Sequence, residues 1–98
     1  QPERDFGANI AHMLHNQTVR SYARLSDDLH LVQLHVNAPD AEKSIGEYGI
    51  SSHDGSTCLG VIRGSEHIRA DENLKLAEGD GVLVLGRQAA IRALSDRR

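Results

Sequence analysis

The stretch Leu74 to Gly86, L-K-L-A-E-G-D-G-V-L-V-L-G, limits the fold more than any other part of the chain. Leu74 and Leu76 alternate with Lys75, Glu78-Gly79-Asp80-Gly81 turns the chain, and Val82-Leu83-Val84-Leu85 runs apolar without a break. Turn residues feeding a short β-branched run predict a tight corner into a strand buried on both faces. Such a strand belongs in the middle of a sheet, so partners must flank it elsewhere in the sequence.

Composition narrows the classes of function. The 98 residues suffice for one domain, and one Phe, two Tyr and no Trp leave the core to Leu, Ile, Val and Ala. The net charge is −3, and no basic run precedes Arg97-Arg98, which argues against nucleic acid. Cys58 is the single cysteine, so no internal disulfide forms; its apolar strand makes it a small buried hydrophobe in a reducing, cytosolic setting. No apolar run reaches the ~20 residues that span a bilayer, and no signal peptide is visible. A start at Gln1 fits a segment of a longer protein.

Residues 1–28 read as a helical linker arm. Pro2 and Asp5 offer a helix start, and Phe6, Ile10, Met13 and Leu14 make one apolar stripe that must pack on a body or a partner chain. A second apolar set, Val19, Tyr22, Ala23 and Leu25, ends at Ser26-Asp27-Asp28. Leu29 to Val36 alternates as a strand with His30, Val32, Leu34 and Val36 on one side, and Asn37-Ala38-Pro39-Asp40 stops it. Asp40 is placed to cap a short helix over 41–47, with Gly49 as its stop. After a polar loop with the turn His53-Asp54-Gly55, Thr57 to Arg63 is a strand, Gly64-Ser65 a hairpin turn, and Glu66 to Arg69 its return. Gln88 to Leu94 closes the chain as a helix. The class is α+β, a small mostly antiparallel sheet with short covering helices, over 29–95.

Ser44-Ile45-Gly46, Val61-Ile62-Arg63 and Leu76 to Gly86 with Gly79-Asp80, in that order and spacing, resemble the TrkA-C domain, the C-terminal lobe of RCK modules that regulate potassium conductance. The likeness covers Leu29 to Leu94, and the first 28 residues resemble the linker from the RCK Rossmann lobe. No G-x-G-x-x-G occurs, so NAD is not expected by that route. The resemblance implies a homodimeric cytoplasmic module that senses a small ligand between two lobes and passes strain to a membrane channel or transporter. Cyclic di-AMP is a ligand of some members and a divalent cation of others. The family's phosphate-contacting arginine is matched by Arg63; where its cyclic di-AMP binders often carry asparagine next, Gly64 stands here.

Each chemical candidate has a plain alternative. Arg63 suits bidentate oxyanion contact, and two copies meeting along this strand would pair Arg63 over apolar Val61 and Ile62, a pocket for a two-fold symmetric anion. The alternative is a strand-end salt bridge. Six histidines, His12, His15, His30, His35, His53 and His67, match no zinc spacing and read as scattered surface residues. Asp27-Asp28, Asp40-Glu42, Asp71-Glu72 and Glu78-Asp80 have no EF-hand spacing and read as caps, turns and solvated loops. Ser44, Ser51 and Ser52 near His53 and Asp54 do not make a triad, so no enzyme is expected. Two functions follow: a ligand-sensing regulatory lobe of a cation channel or transporter, or a purely structural assembly module held by the arm stripe.

Overall fold

In the computed structural model, which describes residues 18–50 and 55–96, the predicted central strand lies in the middle of a five-stranded sheet. The strands are β1 (Val19–Ser26), β2 (Leu29–His35), β3 (Ser56–Arg63), β4 (Glu66–Ile68) and β5 (Gly81–Gly86), in the order β1-β2-β5-β3-β4. Every pairing is antiparallel, and β5 joins two hairpins that do not pair with each other among the described residues. Its register places Val32 opposite Val84 and Leu34 opposite Val82 on one side, and Cys58 opposite Val84 and Val61 opposite Val82 on the other.

Alternation separates the two faces of the sheet. Val32, Leu34, Val36, Val61, Val82 and Val84 are at most 1% exposed and form the sheet side of the core. Ile45 and Tyr48 from α1 (Ile45–Tyr48), Ile91 and Leu94 from α2 (Gln88–Asp96), and Leu76 cover them. Burying each such side chain stabilises the fold by roughly 1.5–3 kcal/mol relative to exposure. Leu83 and Leu85 point the other way and are only partly buried. The central strand is therefore fully covered on one face and half covered on the other, a correction to the expectation of two buried faces.

Two further expectations change. Of the segment assigned to a helical arm, residues 19–26 are strand β1, paired with β2 from Val19–Leu34 to Ser26–Leu29. Most of its side chains are exposed, as suits an edge strand, and pairing with β2 overrides its weak pattern. The stripe Phe6, Ile10, Met13 and Leu14 lies outside the described residues, as do His12, His15 and residues 51–54.

The first covering helix also starts later than expected. Asp40 closes a 3₁₀ turn, Ala38–Asp40, and α1 begins only at Ile45. Ser44 is its N-cap: its hydroxyl accepts the Glu47 N–H at 3.2 Å, and the Glu47 carboxylate accepts the Ser44 N–H at 2.9 Å. This reciprocal pair satisfies two backbone donors at once, so it wins over Asp40. Gly49, at φ 106°, stops the helix as predicted. Backbone bonds from Glu42, Ile45 and Gly46 to the carbonyls of Leu76, Leu74 and Glu72 tie α1 to the segment leading into β5.

Candidate functional site

β3 ends at Arg63 because a two-residue turn reverses the chain: Arg63 pairs with Glu66 across Gly64-Ser65. Gly64 takes φ 65° at the first turn position, where a side chain is disfavoured and glycine is not. Beside this hairpin lies the turn that opens β5. The Asp80 N–H donates to the Ala77 carbonyl at 3.1 Å, the Asp80 carbonyl accepts the Val36 N–H at 2.9 Å, and the Gly79 N–H donates to the Val36 carbonyl at 2.9 Å. Asp80 is thereby fixed at the sheet end with its side chain facing Arg63.

The two side chains form a fork. Arg63 Nε donates to Asp80 Oδ1 at 3.0 Å, and Nη2 donates to Oδ2 at 2.7 Å. Nη2 also donates to the Lys75 carbonyl at 3.1 Å, while Oδ2 accepts the Ala77 N–H at 2.9 Å. The acid is 2% exposed and the guanidinium side chain 41%, so the pair is buried on the acid's side and open on the base's. Burial alone would push the Asp80 carboxyl up; the Arg63 hydrogen bonds and the Ala77 N–H outweigh it and hold the group below the usual carboxylate range. Strand-end salt bridging, one of the two readings of Arg63, is what the side chain does here.

Of the three residues assigned to one anion pocket, the strand brings only two to the same face. Alternation sends Val61 and Arg63 to the core side and Ile62 to the other. Val61 is 0% exposed within the core, and Ile62 is half-buried. Arg63 is thus the one member of the three with a polar group at the surface. Asp80 does more than the turn duty expected of it, because its partner lies 17 residues away and carries no local signal.

The histidines divide. His35 and His67 lie at least partly at the surface, whereas His30 is 1% exposed, a correction to the expectation of surface histidines. It stands on the Val32 and Leu34 side of β2, so the alternation carries it inward. Its Nδ1 bonds the Tyr22 hydroxyl, and its Nε2 bonds Asp28 Oδ1 at 3.2 Å. That carboxylate also accepts the Gln88 N–H at 3.1 Å and so satisfies a free donor at the start of α2. Desolvation, with the Asp28 charge adding to it and Arg24 opposing, pushes the Tyr22 hydroxyl up to about 12. Gln88 N–H bonding, with His30 assisting, outweighs burial and holds Asp28 below the usual range.

Other candidates keep modest roles. Cys58 is half-buried, burial pushes its thiol up, and its Sγ lies 3.6 Å from the Gly60 carbonyl. Asp40 pairs with Lys43 at 2.9 Å. No group of three or more histidine, cysteine or acidic side chains arranged for a metal occurs among the described residues. None of the described helices is long and apolar enough to cross a membrane.

The sequence model of the TrkA-C domain family matches residues 29–97. The chain belongs to the TrkA-C domain family. No curated protein matches it significantly. Among solved structures, it is similar to the RCK C domain of the potassium transport protein KtrA in complex with cyclic diadenosine monophosphate. The TM-score is 0.66 at 22% identity, over 94% of this chain and 99% of that one. A GsuK channel matches with TM-score 0.63 at 24% identity, over 88% of this chain and 16% of the channel chain. An RCK domain solved with cda matches with TM-score 0.54 at 19% identity, over 70% and 94% of the two chains. At these identities the structural likeness establishes the RCK C-domain fold.

Proposed function

We propose that this TrkA-C domain is a regulatory lobe of a potassium, or other cation, channel or transporter, working as a homodimer that senses a small ligand between its two copies. The observation that carries the reading is the family match over 29–97 together with the fold shared with a KtrA C domain that holds cyclic di-AMP. Cyclic di-AMP is the first candidate ligand; another nucleotide or a divalent cation follows. Arg63 supplies the anion contact through the part of its guanidinium that Asp80 does not use, on a strand fixed by Val61 in the core with Ile62 on the opposite face. The lobe works at the cytoplasmic face of the membrane through its parent or partner protein, with residues 1–17 and their stripe Phe6, Ile10, Met13 and Leu14 as the arm that joins the copies or carries the signal.

The mechanism is a population shift. A ligand bridging two copies stabilises one inter-lobe geometry by its differential affinity and can move the equilibrium by no more than that difference. No bond is made or broken, so no catalytic group is required; the hydroxyl of Ser44, the described serine of the candidate set, caps α1.

Calorimetry with cyclic di-AMP, mononucleotides and divalent cations, alongside sedimentation of the free and mixed protein, tests the reading. Saturable binding at one ligand per dimer is expected, with Arg63→Ala weakening it. A folded dimer that binds none of these leaves the second reading, a purely structural assembly module, which the engagement of Arg63 within its own lobe favours. A monomer at micromolar concentration sinks both.

A further inference from the structure

The fork between Arg63 and Asp80 uses Nε and Nη2 and leaves Nη1 without a partner among the described residues. Two bonds donated to one carboxylate, with a third from Nη2 to the Lys75 carbonyl, fix the plane of the guanidinium as well as its position. The carboxylate cannot drift, because Oδ2 also holds the Ala77 N–H and the backbone of Asp80 is bonded at both its N–H and its carbonyl. Its 2% exposure keeps this carboxylate away from the surface an anion would approach, where the exposed Glu66 across the hairpin is the other negative charge acting on Arg63.

We infer that Asp80 is the positioning residue of this lobe's anion contact, presenting the open Nη1 edge of Arg63 in one fixed orientation to a phosphate of the ligand. The inference rests on the proposed function and adds to it a residue that never touches the ligand. Pre-ordering a flexible arginine removes most of the rotamer freedom otherwise lost on binding. Arg63 therefore keeps Asp80 when the ligand arrives, and the anion adds to the fork without replacing it.

Electrostatics and positioning predict opposite signs for one variant. Neutralising an acid beside an arginine raises the local positive potential, which alone would tighten anion binding. Losing the fork frees the side chain and weakens it. With full-length protein and cyclic di-AMP as the probe, Asp80→Asn is expected to raise Kd about tenfold, and Arg63→Lys, which keeps the charge without the fork, by a similar factor. In the Arg63→Lys background, Asp80→Asn should change Kd by less than about threefold, because its route is already gone. Val84→Ala, a core change away from the fork, lowers the melting temperature and leaves Kd unchanged.

Unchanged or tighter binding by Asp80→Asn overturns the inference, as do additive losses in the double variant. Should Asp80→Asn not fold, the Arg63 Nε–H resonance of the native protein decides: it must keep its protection from exchange when cyclic di-AMP is added, and its loss means that Arg63 abandons Asp80. A native dimer that fails to bind cyclic di-AMP removes this ligand from the proposed function, and the inference with it. Native binding with an insensitive Asp80→Asn removes the inference alone.

Discussion

Two polar clusters stand at opposite ends of β5, and they are built in opposite senses. At its start, the acid Asp80 is buried and the base Arg63 is half open. At its end, where Gly86 pairs with His30, the base is buried at 1% exposure and the acid Asp28 has a side chain 57% exposed. Which partner lies inside decides what a break costs. An orphaned buried carboxylate must lose its charge or draw in water, whereas an exposed one is already solvated. The first cluster is therefore rigid and aimed outward; the second holds β1, β2 and α2 together around an imidazole.

Removing the outer partner of each cluster gives the sharpest contrast. Arg63→Ala leaves Asp80 buried without its cation and should destabilise the domain by about 2–3 kcal/mol, somewhat below the range for fully buried pairs because the guanidinium is half exposed. Urea unfolding checks it, with the midpoint falling while the slope stays constant. A loss under 0.5 kcal/mol would show that water serves Asp80 as well as arginine does. At the other end, His30→Ala empties a buried site and strips bonds from Tyr22 and Asp28, for about 1–3 kcal/mol by the same measurement. Asp28→Ala, at the exposed position, should cost about 1 kcal/mol through the lost Gln88 N–H bond.

Titration separates the clusters further. Asp80 has a folded value depressed below its unfolded one, so its contribution is fully present above the unfolded value and fades as pH falls through the folded one. Asp80→Asn should flatten the acid limb of stability against pH. Tyr22 is displaced upward, so its contribution is present below about 10 and lost as pH rises through about 12. Its ring-carbon NMR shift should move near 12, and Tyr22→Phe should flatten the alkaline limb alone.

Much of this architecture could be read from the residues, and the misses have physical causes. β2, β3, β4 and β5 carry period-two alternation or turn glycines strong enough to place them. β1 has one buried apolar residue, Val19, so nothing in its own pattern marks a strand; its order comes from β2. The start of α1 was legible, because Ser44-Ile45-Gly46-Glu47 is itself a capping box, a stronger signal than the lone acid Asp40. His30 was legible as well, since the alternation that buries Val32 and Leu34 carries it along. The reach from Arg63 to Asp80 was not legible, because only the folded sheet brings residues 17 apart in sequence to the same corner.

The position of β5 has a consequence for how the domain forms. Among the described residues β2 and β3 do not pair with each other; each pairs with its own hairpin partner and with β5. Until residues 81–86 leave the ribosome, the nascent chain holds two separate hairpins, and an isolated two-stranded hairpin is marginal in water. Closing the sheet then requires contacts across most of the chain, including His30 with Gly86, and such long-range closure is slow. Neither hairpin therefore gains a stable sheet until β5 pairs with both, so the order of the whole sheet rests on its central strand.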